Sequence, residues 1–173
     1  FSYDYDCPNE TAYSETCANI SLCMWARRML QLEGDSQYAD ILERALYNSV
    51  ISGVSYEGGQ FFYANHLALY PKEYQEASIN LRYDNISPVR ITKLSVACCP
   101  ANLARTIASI GQHVYSISEN GLFVHLYDNS SVPVSVGGRT AVITQSSNYP
   151  WDGKIRFDVA CPDGMEFDLM LRI

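Results

Sequence analysis

Four side chains that commonly bind metal ions stand in two short segments of the sequence. Glu15 and Cys17 form a Glu-x-Cys segment, and Cys98 and Cys99 are adjacent. Zinc favours thiolate sulfur among protein ligands, and a structural zinc ion takes four of them. The residue types therefore predict a zinc site formed by these four side chains, although Glu-x-Cys and Cys-Cys are not the spacings of the usual zinc ribbons.

The position of the cysteine pair beside a predicted helix adds to this argument. Pro100 suits the first turn of a helix, which places Cys99 at about the N-cap and Cys98 just before it. A helix N-terminus favours a thiolate over a thiol, and two neighbouring thiolates repel each other unless a cation lies between them. Glu15 is an acidic residue in an otherwise apolar stretch, where an unpaired charge is costly. The same residues also fit two buried cysteines and a glutamate that stabilises the start of its own helix.

The remaining cysteines give little support to other chemistry. A disulfide framework is disfavoured, because the apolar content suffices for a core and a bond between adjacent cysteines would strain the backbone. Cys23 lies in a buried-looking helix and predicts a small core side chain, while Cys7 and Cys161 stand in Cys-Pro turns and are assigned no role. A thiol redox protein that uses Cys98 and Cys99 is a weaker alternative, since the sequence has no C-x-x-C motif.

The elements that would position these residues are helical in the first part of the chain. Residues 11–32 contain no Gly or Pro and are apolar on most sides, which predicts a buried helix that ends at Gly34. A second, amphipathic helix is predicted from Asp35 or Ser36 to Val50. A short β-like stretch, FFYANHLALY, follows, and a third helix is predicted after Cys98-Cys99-Pro100 to about His113.

From Val114 onward the apolar period changes to two, which predicts strands. Three hairpins are expected: 114–117 with 122–127, 132–136 with 139–144, and 155–159 with 165–171. Helices followed by strands indicate the end of a helical domain (1–113) joined to the start of a β-sandwich (114–173). Because the chain opens at Phe1 without a Met and closes on an apolar alternation, we expect it to be an interior segment of a longer protein.

Composition excludes two classes of partner. The formal net charge is −7 and the sequence has no dense run of Lys or Arg, so neither nucleic acid nor an anionic membrane surface is expected to bind. No apolar run approaches the ~18 residues that a membrane-spanning helix needs. The compartment stays open: bacterial cytoplasm, periplasm and secretion are all compatible with a thiolate zinc site.

Five segments, spread in order over most of the chain, resemble the β-L-arabinofuranosidases of glycoside hydrolase family 127. They are FSYDYDCPNETAYSETCANI, YADILERALYNSVISGVS, FFYAN, ACCPANLARTIASIGQHVYS and YPWDGKIRFDV. The resemblance implies the C-terminal part of an (α/α)6 barrel followed by the start of a β-sandwich. It also implies that Glu15, Cys17, Cys98 and Cys99 hold Zn²⁺ and that Cys98, the first cysteine of the pair, is the nucleophile of a retaining glycosidase.

The resemblance further implies a substrate and a low activity of residues 1–173 on their own. The substrate would be a terminal β-L-arabinofuranoside on a plant-type, arabinose-containing glycan, and a homodimer of the parent protein stays open. In the family the acid/base glutamate shortly precedes the FSYDYD-like segment, which places it before Phe1, so we expect residues 1–173 alone to show little hydrolysis. The alternative is a non-catalytic carbohydrate-binding or structural module with a structural zinc site.

Overall fold

The computed structural model describes residues 4–5, 8–9, 12–68, 70 and 87–173. Helices come first and two small β-sheets follow. The chain divides into two compact units, the first made of Phe1–Arg28 with Asp40–Ala108 and the second of Met29–Ala39 with Ser109–Ile173. Within the described ranges, none of the helices combines the length and the apolar character that a bilayer-spanning helix needs.

Helix α1 covers Thr16–Glu33 and helix α2 covers Ser36–Arg44. Helix α1 starts later than the predicted residue 11, because Glu15, the residue before it, forms a β-bridge with Ala64. It ends, as predicted, before Gly34, which adopts a φ of 67° that glycine tolerates. One face of α1 is buried, while its other sides expose large apolar side chains, contrary to the prediction of a helix buried all round: Leu22, Met24, Trp25 and Leu32.

The second predicted helix continues beyond α2 with changed hydrogen bonding. A π-helical turn spans Ala45–Val50 and a 3₁₀ turn spans Ile51–Gly53. The FFYAN segment is not a strand; it makes isolated bridges, among them Phe61 to Val54 and Phe61 to Ile91.

The third predicted helix is divided into two. Helix α3 covers Cys98–Ala108 and helix α4 covers Gly111–Val114. The break falls just before Gly111, a residue with low helix propensity. Cys98 is the first residue of α3, so the predicted N-cap position of Cys99 is wrong, and both cysteines lie in the first helical turn together with Pro100.

Six strands form two three-stranded sheets. The strands are β1 (Tyr115–Ile117), β2 (Gly121–Val124), β3 (Ser130–Val136), β4 (Arg139–Ser147), β5 (Ile155–Ala160) and β6 (Asp168–Leu171). Their orders are β1-β2-β6 and β3-β4-β5. A common core joins the two sheets, with five buried side chains at its centre: Leu122, Val124, Val134, Ala141 and Ile143.

Two of the three predicted hairpins are confirmed and one is wrong. Strands β1 and β2 pair antiparallel, as do β3 and β4. Strand β5 pairs with β4, whereas β6 crosses to the other sheet and pairs parallel with β2. The alternating pattern of β5 and β6 identified them as strands, but periodicity does not specify the partner of a strand.

The β2–β6 pairing depends on Gly121. A Cβ at this position would lie 2.0 Å from the carbonyl oxygen of Asp168 and 2.9 Å from its nitrogen, and these backbone atoms cannot move without breaking the ladder. We expect Gly121→Ala to lower the free energy of unfolding by about 3 kcal/mol, measured by urea denaturation. Gly153→Ala is the matched control, since nothing lies within 4 Å of its Cβ. Equal stability of the two variants would contradict this account of the parallel pair.

His125 makes the second unit sensitive to acid. Its side chain bonds the Ser116 hydroxyl at 2.8 Å, and burial, with a smaller contribution from the charge of Arg172, lowers the pKa of His125 to about 4. In the unfolded chain the pKa of His125 is about 6.5, so between pH ~4 and ~6.5 the unfolded chain binds more protons than the folded one. The contribution of neutral His125 to the free energy of unfolding is therefore fully present above pH ~6.5. It is lost as the pH drops towards ~4, by on the order of 2 kcal/mol.

The pH dependence is measured by denaturant unfolding at several values between pH 4 and 7. We expect His125→Gln to flatten the profile in this window, because glutamine does not titrate. An unchanged slope in the variant would assign the acid sensitivity to other groups.

Candidate metal centre

Two helix starts bring the predicted ligands together. Glu15 is the last residue before α1 and Cys17 is its second residue, whereas Cys98 and Cys99 open α3. The start of α1 is fixed against the FFYAN segment: the backbone N–H of Thr16 donates to the carbonyl of Tyr63 at 2.9 Å. All of these residues belong to the first compact unit.

The four ligand atoms converge on one small volume. The Cys17 and Cys99 sulfurs are 3.4 Å apart and the Cys98 and Cys99 sulfurs are 3.8 Å apart. Glu15 Oε1 lies 3.9 Å from each of the Cys98 and Cys99 sulfurs, and all four ligand atoms lie within 4.8 Å of one another. A tetrahedral ion with zinc–sulfur bonds of 2.3 Å separates its sulfur ligands by about 3.8 Å. The cluster can therefore bind a metal ion, and three sulfurs with one carboxylate form a donor set that suits zinc.

Neighbouring groups orient these ligands. The Tyr13 hydroxyl donates to Glu15 Oε2 at 2.8 Å, which leaves Oε1 on the side of the sulfurs. The side-chain amide of Asn102 donates to the Cys17 sulfur at 3.2 Å. Cys99 is 1% exposed, whereas Glu15, Cys17 and Cys98 are half-buried, so the cluster has one side that other molecules can approach.

In the metal-free cluster the thiol form is favoured at two positions. Burial raises the pKa of the Cys17 thiol, and burial together with a hydrogen bond to Cys17 raises the pKa of the Cys99 thiol. A metal ion that binds here must therefore displace protons, which is the usual behaviour of thiolate sites. The same environment raises the pKa of Tyr13, through burial and its hydrogen bond to Glu15.

The cluster contains every ligand that the sequence predicted, and it also contains groups that sequence reasoning missed. The hydrogen bond with Tyr13 lowers the pKa of Tyr63. Burial and a hydrogen bond with Cys98 raise it, and the net change is upward. Arg105 contacts Asn102 at 3.0 Å. Tyr63 belongs to the FFYAN segment, which the resemblance marked without giving Tyr63 a role, whereas Asn102 is the asparagine of the Cys-Cys-x-x-Asn motif that the resemblance includes. Of the other cysteines, Cys23 is buried as predicted, Cys161 is exposed, and Cys7 lies outside the described residues.

Comparison with known proteins identifies the family. The family profile described as "Beta-L-arabinofuranosidase, GH127 catalytic domain" matches residues 1–112, and the profile for the GH127 middle domain matches residues 121–173. A non-reducing end β-L-arabinofuranosidase from Bifidobacterium longum subsp. longum is 38% identical over 164 residues, which are 94% of this chain and 24% of the relative.

Solved structures agree with this match. A GH127 β-L-arabinofuranosidase from Geobacillus stearothermophilus T6 superposes with a TM-score of 0.91 at 50% identity, over 100% of this chain and 27% of that protein. A second GH127 β-arabinofuranosidase gives a TM-score of 0.84 at 37% identity, over 100% of this chain and 25% of that protein. The chain thus spans about a quarter of the length of these relatives. It belongs to the GH127 β-L-arabinofuranosidase family of glycosidases, and it consists of the end of the catalytic domain followed by the middle domain.

Proposed function

We propose that this chain supplies the nucleophile and the metal ligands of a retaining glycosidase that hydrolyses terminal β-L-arabinofuranosides. The observation that carries the proposal is the convergence of Glu15, Cys17, Cys98 and Cys99 within 4.8 Å, from segments more than 80 residues apart, in a member of the GH127 family. Arabinofuranoside substrates follow from the names of the relatives, and the plant-type glycan that carries the sugar is part of the proposal.

The metal in this proposal is zinc, held by the Glu15 carboxylate and the three sulfurs. Zinc bound there would supply the positive charge that keeps the sulfurs ionised at neutral pH. The need for such a charge is supported by burial, the largest cause that raises the pKa of the Cys17 and Cys99 thiols in the metal-free cluster.

Cys98 is the proposed nucleophile because it combines sulfur chemistry with access. Its side chain is half-buried, whereas Cys99 is fully buried. The Cys98 thiolate attacks the anomeric carbon, a carbon–sulfur bond forms, and the bond to the leaving oxygen breaks as a carboxylic acid protonates that oxygen. Water then attacks the anomeric carbon, gives its proton to the same carboxylate and releases the thiolate. Two displacements retain the configuration.

The rest of the catalytic apparatus is inferred from the family resemblance. The acid/base glutamate is proposed to precede Phe1 in the chain order of the family. Residues 1–113 are proposed to form the last helices of an (α/α)6 barrel, and residues 114–173 the first strands of a β-sandwich. The common core of the two three-stranded sheets supports the sandwich part of this proposal.

A second candidate function has one observation in its favour. All four ligands of the cluster come from the protein, and a closed shell of four protein ligands is typical of structural zinc sites, whereas catalytic sites usually keep one position open. In this reading the metal only ties the start of α1 to the start of α3, and the protein binds a glycan without cleaving it.

A chimera separates the two functions. Residues 1–173 would replace the matching segment of the Geobacillus stearothermophilus relative, which is 50% identical and similar over the whole of this chain. Zinc content is measured by elemental analysis, and hydrolysis is measured with a chromogenic β-L-arabinofuranoside. About one zinc per chain together with turnover supports the glycosidase. One zinc without turnover, in a folded chimera, supports the structural module, and absence of zinc contradicts both.

A further inference from the structure

We infer that Asn102 is a positioning residue that holds Cys17 as a permanent metal ligand, and that Arg105 fixes the orientation of its amide. The inference rests on the proposed metal centre. Asn102 Nδ2 donates to the Cys17 sulfur at 3.2 Å, and Arg105 Nη1 donates to Asn102 Oδ1 at 3.0 Å. Among the side-chain hydrogen bonds of the described residues, the bond from Asn102 to Cys17 is the one in which an amide donates to a sulfur of the cluster.

The orientation of the Asn102 amide follows from the chemistry of its two neighbours. The amide oxygen and nitrogen of an asparagine exchange places when the group flips by 180°. Arg105 has only donors, so it requires the oxygen on its side, and this leaves the N–H groups on the side of Cys17. A flipped amide would set its oxygen against the sulfur and its N–H groups against the guanidinium. Arg105 therefore keeps a donor directed at Cys17.

The residue spacing in helix α3 places Asn102 and Arg105 on the same face as the cysteine pair. Asn102 follows Cys98 by four residues and Cys99 by three, and Arg105 follows Asn102 by three, so all of them share one face of the helix. The backbone at Asn102 is held in turn by the Thr106 hydroxyl, which donates to its carbonyl at 2.8 Å, and Thr106 is 2% exposed. The helix that carries the cysteine pair therefore also carries the group that contacts the sulfur from the other segment.

A donor at Cys17 gives the sulfurs of the cluster different roles. A hydrogen bond to a thiolate stabilises the ionised form and lowers its basicity, and nucleophilicity falls with basicity. Cys17 is thereby made a poorer nucleophile and a more persistent ligand. The Cys98 sulfur has no amide donor among the described residues; it contacts the Glu15 carboxylate, the Cys99 sulfur and the Tyr63 side chain. The two half-buried cysteines thus have different neighbours: the Asn102 amide donates to Cys17, and the Tyr63 side chain hydrogen-bonds Cys98.

Cobalt spectroscopy tests this inference without an activity assay. Co²⁺ replaces Zn²⁺ in the 173-residue chain and in the chimera, and the thiolate-to-cobalt charge-transfer band is recorded. Removing the N–H donor raises the energy of the sulfur electrons, so Asn102→Ala is expected to move the band to longer wavelength. We also expect it to weaken zinc affinity by roughly 10-fold to 100-fold in competition with a chelator, as loss of a group that orients a ligand commonly does.

Two further variants keep the test decisive. Arg105→Ala changes an exposed side chain and is expected to produce a smaller shift of the same sign, but no additional shift when Asn102 is already alanine. It carries the test if Asn102→Ala does not fold. Asn19→Ala is the matched control: its half-buried amide bonds the Ser14 hydroxyl at 3.1 Å and the Glu15 carbonyl at 2.9 Å, but no sulfur. We expect this control to leave the band in place.

The failures of the two proposals are distinguishable. If neither unmodified protein shows a sulfur-to-cobalt band, the metal centre itself is wrong and the role of Asn102 falls with it. If the unmodified protein shows the band and the Asn102→Ala and Arg105→Ala variants match it in wavelength and affinity, the inference about Asn102 is overturned while the metal centre stands. A shift in Asn19→Ala equal to that in Asn102→Ala would also overturn it.

Discussion

Cys98→Ser is expected to reduce kcat/KM for arabinofuranoside hydrolysis in the chimera by at least about 10³-fold. A serine hydroxyl does not ionise near neutral pH, so the variant lacks the nucleophile even though it keeps the size of the side chain. Because Glu15, Cys17 and Cys99 remain, we expect the variant to retain part of its zinc. The loss should therefore appear in kcat measured per bound metal, and not only in metal content.

Two matched cysteine variants make this result interpretable. Cys161→Ser changes an exposed thiol outside the cluster and should leave both activity and zinc unchanged. Cys17→Ser removes a ligand, so we expect activity and zinc content to fall together. If Cys98→Ser keeps near-normal turnover, the nucleophile lies elsewhere and the structural role of the cluster becomes the better account.

Removal of the metal is the second change with a large expected effect. An ion that binds only the folded chain stabilises it by RT ln(1 + [L]/Kd), which is about 4 kcal/mol when free metal exceeds Kd by 1,000-fold. We expect a chelator to lower the free energy of unfolding of the 173-residue chain by about that amount. Urea denaturation followed by the fluorescence of Trp25, which lies in the first unit, measures the change in a Trp151→Phe background.

The Cys17→Ser variant is the control for metal removal. It lacks one of the four ligands, so added zinc should stabilise it far less than the unmodified chain. The expectation is contradicted if chelator and zinc leave the unfolding midpoint of the unmodified chain unchanged, or if Cys17→Ser responds to zinc as strongly as the parent sequence does.

Local sequence patterns predicted the elements of this chain better than their ends and partners. The helical period identified α1, yet its start depends on a bridge between Glu15 and Ala64, 49 positions apart in the printed sequence. The alternating pattern identified β6, yet its parallel pairing with β2 requires Gly121 to accept a close backbone neighbour. In both cases the missing information is a contact between distant residues, which periodicity does not encode.

The candidate site shows the same division. Residue types and the Cys-Cys-Pro context suggested a metal site but also fitted two buried cysteines and a helix-stabilising glutamate, and the family resemblance supplied the full set of four ligands. The groups around them could not be predicted in this way. Tyr63 reaches Cys98 only because the FFYAN segment lies beside the start of α1, and Arg105 acts through Asn102 and touches no ligand in the contacts described.

The distance along the chain between the two ligand pairs has a consequence for the tolerance of this centre to insertions. A metal bound by Cys17 and Cys99 closes a loop of about 80 residues, since these positions are 82 apart. Loop-closure entropy grows only with the logarithm of length, so doubling such a loop costs about 0.6 kcal/mol. Insertions between the two pairs, away from the FFYAN segment, should therefore cost the centre little.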